Sequence, residues 1–190
     1  MPPKLTESGS ILSYAAISMD PELTDGLVLT GFSANGTYSP YFILGANFVV
    51  SNTLPALAHY PDGYFSSGDE SGLQTNFFAP GDFDPKILTF ALATVEPLTI
   101  GEALTLNGVI GSINNFAGPV LVVTGEHDIP FCGGNCFATG DPEIASIPAA
   151  SQKLFPAATA FETSIVPDAG HGLNLVSISF PASIPISMCN

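Results

Sequence analysis

Arginine and tryptophan are absent from the 190 residues, and the only bases besides three histidines are Lys4, Lys86 and Lys153. Against 17 acidic residues this leaves a formal charge of −14 at pH 7. No row of bases is available to neutralise phosphates, which argues against nucleic acid as a partner. No guanidinium fork is available to clamp an anionic substrate or to dock on anionic lipid. Long hydrophobic runs are lacking too, since a membrane helix needs roughly 18–20 apolar residues. The strongest candidate, Tyr41 to Val50, is bounded by Pro40 and Ser51, contains Gly45 and Asn47, and reads as buried core. The start of the chain, Met1-Pro-Pro-Lys-Leu-Thr-Glu7, is polar and carries an acid, so it is a poor signal peptide. Gly31 and Gly36 do not form a dinucleotide fingerprint, and no phosphate loop is seen, so no cofactor is expected.

Charged residues make up only 11% of the chain and apolar residues 46%, a composition that can fill a core and is not that of a disordered chain. The length suits one domain. Nineteen glycines and 17 prolines predict many turns and short elements. Ile11, Leu12, Ala15, Ala16 and Met19 recur at helical spacing, with Ser8 or Ser10 as N-cap and Asp20-Pro21 as the stop. Gly26-Leu-Val-Leu-Thr-Gly31 reads as a strand buried on both faces, as in a parallel sheet. Gly118-Pro-Val-Leu-Val-Val-Thr-Gly125 is the strongest strand signal, and Glu162-Thr-Ser-Ile-Val-Pro167 is a third. Between the second and third strands, Ser146 caps a helix to about residue 155, with Pro148 in its first turn. Residues 32–116 have a different texture, rich in Ser, Gly, Pro, Asn and aromatics, with helical patches at 41–50 and 84–95. They read as an insertion or cap laid over the sheet. The last segment, 176–190, carries Pro181 and Pro185 and should form no regular helix.

Asp128 and His171 are the informative pair. Each follows the carboxyl end of an expected parallel strand, where α/β folds place their chemistry. An acid beside a histidine fixes its tautomer and supports the imidazolium formed during proton transfer. The plainer reading is that Asp128 caps a loop and His171 sits in a turn between Gly170 and Gly172. Cys132 and Cys136 admit three readings: a small disulfide loop fitting an exported protein, free thiols, or a zinc site with His127 and Asp128, strained by four ligands within ten residues. Cys189 has no evident mate, and Asn35-Gly36-Thr37 is a glycosylation sequon that matters only on export. His59 reads as a loop residue or a substrate contact, Glu96 and Glu102 as solvated acids, and Asp82 and Asp84 as turn formers. Phe77, Phe78, Phe83 and Phe90 read as packing of the cap or as the lining of an apolar acyl pocket.

Thr124-Gly-Glu-His-Asp-Ile-Pro-Phe131 and Val166-Pro-Asp-Ala-Gly-His-Gly-Leu-Asn-Leu175 resemble the acid and histidine motifs of α/β-hydrolase-fold proteins of the AB hydrolase-1 type. With Leu27-Val-Leu-Thr-Gly-Phe32 and Phe131-Cys-Gly-Gly-Asn-Cys136, the chain looks like the fungal, often secreted branch of that family. The similarity runs from about residue 9 to 175 and corresponds to the C-terminal two-thirds of such a protein. It implies a partial α/β-hydrolase fold: the C-terminal half of a parallel sheet in a single partial domain, with a cap inserted at about 32–116. It also implies a serine hydrolase acting on a small-molecule ester or amide, with Asp128 as triad acid and His171 as general base, and with no cofactor or metal. Family members carry the nucleophile in a Gly-x-Ser-x-Gly turn ahead of a helix like 11–19. Here that position falls on Glu7 and the first glycine on Leu5, while Ser8 is one residue out of place and Ser33 lacks the second glycine. The strands ahead of that turn, one of which leads to an oxyanion-hole N–H, are not recognisable, and 176–190 departs from the expected final helix. The expectation is therefore a hydrolase core that is inactive as written. The alternative is a non-catalytic truncated paralogue, or a secreted interaction protein on the hydrolase scaffold.

Overall fold

Three short strands pair side by side in the computed structural model, which describes residues 7–81, 83–108 and 110–175. In chain order the elements are α1 (Glu7–Met19), β1 (Leu27–Thr30), α2 (Ser39–Gly45), β2 (Phe48–Val50), β3 (Tyr64–Ser67) and α3 (Glu70–Phe77). They continue as α4 (Pro85–Ala93), β4 (Leu98–Thr99), α5 (Ile100–Thr105), β5 (Val120–Gly125), α6 (Ile129–Cys132) and β6 (Phe161–Val166). Strands β1, β5 and β6 form a parallel sheet in the order β1-β5-β6, with Leu27 opposite Val120 and Gly125 opposite Val166. All three expected strands are present, within a residue or two of their expected ends. The chain is thus an α/β protein built on a parallel sheet, with its second half supplying two adjacent strands.

Alternation along the strands decides which side chains meet α1. Leu27, Leu29, Val120 and Val122 are buried in one cluster with Ile11, Tyr14 and Ile17 of α1 and with Phe32, Phe116, Phe155 and Phe131. Val123, Val166 and Ala169 form a smaller cluster with Leu121 and Leu173. Val28 is 60% exposed, so β1 is not buried on both faces as its continuous apolar run suggests.

Helix α1 departs from its expected form in two ways. It already includes Glu7, so Ser8 and Ser10 lie inside it and neither is the N-cap. The buried stripe is Ile11, Tyr14 and Ile17, while Leu12 and Met19 are exposed. Tyr14 takes the core position because its phenol can be satisfied there: the hydroxyl donates to the carbonyl of Ser112, and burial raises its pKa. Ser10 turns its hydroxyl on the end of β1, accepting from the Thr30 amide at 2.9 Å and donating to the Thr30 carbonyl at 2.7 Å. That reciprocal bond occupies the strand's outer backbone groups and ties the helix to β1.

Between β1 and β5 the chain builds an antiparallel sheet, β2-β3-β4, which the sequence did not suggest. Its strands have two to four residues, too short to display an alternating pattern. The patch 41–50 splits into α2 and β2, whereas the patch 84–95 is α4, with the Asp84 side chain accepting from the Lys86 amide at its start. Asp69 caps α3 in the same way, and Thr99 with Glu102 forms a reciprocal capping box on α5. Leu73, Phe77, Phe78 and Leu88 make a second core here, closed by Leu175. The helix expected over 146–155 is a shorter 3-10 helix, Ala149–Leu154, whose N-cap is Pro148 and not Ser146; the Ser146 hydroxyl still accepts from the Ala149 amide across the preceding turn. Among the described residues no helix is long and apolar enough to cross a membrane. Asp82, Cys189 and the segment 176–190 lie outside the described residues, as does Leu5.

Candidate active site

Adjacent parallel strands deliver their following loops to one edge of the sheet, and β5 and β6 are adjacent. The two loops are stitched together: the Glu126 amide donates to the Val166 carbonyl at 2.9 Å and the His127 amide to the Ala169 carbonyl at 2.8 Å. Residues 43 positions apart in sequence are thereby brought into contact, with His171 Nδ1 2.8 Å from Asp128 Oδ2. Asp128 is fully buried and His171 is 3% exposed. The two readings of Asp128 turn out to be compatible. Oδ1 caps α6 by accepting from the Phe131 amide at 2.8 Å, while Oδ2 faces the imidazole and also accepts from the Thr124 hydroxyl at 2.5 Å. Three donors thus converge on one carboxylate, which holds it ready to orient the ring.

The imidazole itself is clamped between Phe77 and Phe131, whose ring centroids lie 5.5 and 5.7 Å from its own. Gly31, at φ +55°, approaches so closely that a Cβ there would stand 2.6 Å from His171 Cε1. The first α/β turn therefore needs glycine both for its left-handed backbone and for room beside the histidine. The sequence reading missed these three neighbours. Phe77 comes from a different sheet's connecting helix, and no spacing in the sequence links it to residue 171. Phe131 and Gly31 were seen only as parts of motifs.

Other candidates fall elsewhere. Ser33 is fully buried, its hydroxyl donating to the Phe131 carbonyl and accepting from the Asn35 amide, both at 3.1 Å, so it serves as a brace between loops. His59 is exposed and packs on Tyr60 with centroids 4.5 Å apart. Cys132 and Cys136 form a disulfide, and Asp128 belongs to His171, which removes the zinc reading of His127, Asp128, Cys132 and Cys136. Glu126, His127 and Asp168 bring one ligand atom each within 4.8 Å of the others on the outer side of these loops; no second feature assigns a cation to them. The disulfide closes a small loop beside the acid. Replacing both cysteines with serine is expected to cost about 2 kcal/mol by the chain-entropy argument. Urea unfolding would read the loss, and a variant as stable as the parent would show the loop held by its backbone bonds alone.

A parallel α/β domain with a buried acid–histidine pair where two neighbouring strands end is the class that fold and site define. No family model matches the chain, and no curated protein matches it. Among solved structures it is similar to an alpha/beta hydrolase fold protein from Chitinophaga pinensis, at 16% identity and a TM-score of 0.49, over 86% of this chain and 55% of that one. It is also similar to a monoacylglycerol lipase from Paleococcus ferrophilus, at 11% identity and a TM-score of 0.46, over 85% of this chain and 56% of that one. The chain therefore spans just over half the length of these proteins.

Proposed function

We propose that Asp128 and His171 are the acid and base of a serine-hydrolase-type site for ester or amide substrates. The observation that carries this is the buried 2.8 Å contact between His171 Nδ1 and Asp128 Oδ2, at the end of a parallel sheet. In this reading Asp128 accepts a hydrogen bond from Nδ1–H and fixes the ring, so that Nε2 takes the proton of an attacking hydroxyl and later gives it to the leaving group. Residues 32–116 are read as the cap, with Phe77 and Phe131 keeping water from the imidazole. The 190 residues contain no Gly-x-Ser-x-Gly segment, and the aligned positions are Leu5, Glu7 and Gly9. The Cys132–Cys136 disulfide favours an oxidising, exported setting, in keeping with the resemblance to a fungal secreted branch.

A gain-of-function variant tests the reading within this chain. L5G/E7S supplies the first glycine and the serine of the motif, with Gly9 as the second glycine. A fluorophosphonate probe is expected to label the serine at position 7, with hydrolysis of p-nitrophenyl butyrate above the parent's rate. Both should vanish when His171→Ala is added. A folded L5G/E7S protein that is neither labelled nor active would overturn the hydrolase reading and favour the non-catalytic scaffold.

A further inference from the structure

A cavity of about 260 Å³ lies between the start of α1 and the segment that follows β1. Three aromatic rings line it: Phe42 of α2, Phe48 of β2 and Phe77 of α3. Two carboxylate residues line it as well, Glu96 ahead of β4 and Glu102 on α5, and none of its lining residues is basic. Ser66 of β3 also faces this space; it is 1% exposed, and its hydroxyl has no hydrogen-bond partner among the described residues. A buried hydroxyl without a partner costs free energy, and a polar group entering the cavity would recover it.

The chemistry of the lining selects the ligand. A carboxylate or phosphate would meet two glutamates and a chain of formal charge −14. A wholly apolar ligand would suit the rings and leave Ser66 unpaired. An ammonium group on an apolar body satisfies each feature: carboxylates for the charge, aromatic faces for the cation and the body, and N–H donors for the Ser66 oxygen. We propose that this cavity binds a small organic ammonium ion, its apolar body among Phe42, Phe48 and Phe77 and its charge paired with Glu96 and Glu102. The proposal goes beyond the hydrolase reading and stands without it. Phe77 touches both the cavity and the His171 ring, so the two sites share a wall.

Calorimetric titration of the full chain tests this with three probes that share a phenylalkyl body and differ in head group: 3-phenylpropylammonium, 3-phenylpropanol and 3-phenylpropanoate. The ammonium is expected to bind at least tenfold more tightly than either of the others. E96Q/E102Q should erase that preference, and glutamine at 102 keeps the capping box on α5, so the fold is retained. A second variant, E22Q/D25N, removes the same charge from exposed residues that do not line the cavity and should leave binding unchanged. Ser66→Ala should weaken ammonium binding severalfold. Equal binding of the alcohol or the carboxylate, no binding of the ammonium at millimolar concentration, or equal losses in E96Q/E102Q and E22Q/D25N would each overturn the proposal. Turnover plays no part in this readout, so the hydrolase reading can fail while the binding site stands.

Discussion

Asp128→Ala is expected to remove a large share of the protein's folding stability. The variant strips the acceptor from three donors at once: the Thr124 hydroxyl, the Phe131 amide and His171 Nδ1. All three sit in a site where Asp128 has no exposure, so water cannot take its place without opening the loops. Each buried donor left without an acceptor costs about 1–3 kcal/mol, so three together reach a large share of the usual total of about 5–15 kcal/mol. The same change removes the cap on α6. Asp128→Asn keeps an oxygen that can cap α6 and is expected to be the milder variant. Urea midpoints for the parent and both variants, compared at constant slope, measure the difference. A midpoint for Asp128→Ala within error of the parent would mean that the carboxylate is held by the loops and does not hold them.

Gly125→Ala should be nearly as damaging, for a steric reason that no side-chain list reveals. A Cβ at this position would stand 2.2 Å from the Gly170 carbonyl oxygen and 2.3 Å from that of Ala169. Both obstacles are backbone, so the strain can be relieved only by moving the turn that carries His171 away from β5. Overpacking of this kind costs about 3 kcal/mol at its upper range. It outweighs the 0.4–1 kcal/mol or so that a Gly-to-Ala change can return through the unfolded chain. The effect should appear twice, as a lower thermal midpoint and as a shift or loss of the imidazole Nδ1 proton resonance. Gly26→Ala is the matched control, since its Cβ would meet only Pro119 at ordinary distances of 3.6 and 3.8 Å. If both variants melt alike, the closeness of Gly125 to the histidine turn has no energetic consequence.

The parts legible in the sequence were those carried by local signals. Apolar runs bounded by glycine marked β1 and β5, and the short run ending at Val166 ahead of Pro167 marked β6, because strands packed in a parallel sheet favour β-branched and apolar residues. Asp128 and His171 were legible because each directly follows such a run, and neighbouring parallel strands end at the same edge. The Ser146 hydroxyl was legible in the same way, as a side chain acting on an amide three residues away, whereas Asp84, read as a turn former, proves to be the N-cap of α4. The apolar stripe of α1 was misread because Tyr14, outside the expected stripe, holds the core position while Leu12 faces outward. No local count could choose between them, since the choice depends on a carbonyl 98 residues away at Ser112.

By itself, then, the sequence determined the three strands of the parallel sheet, the order acid then histidine, and an acid-rich composition with almost no cations. The tertiary structure alone decided that one carboxylate both caps α6 and meets His171. It also decided that Cys132 pairs with Cys136, that Phe77 reaches the imidazole from another sheet's helix, and that Ser66 lines a cavity without a hydroxyl partner among the described residues. These are contacts between residues that come together only when strands and helices pack. Local propensity acts over a few residues, whereas a hydrogen bond's partner or a cavity's wall is set by where distant segments meet.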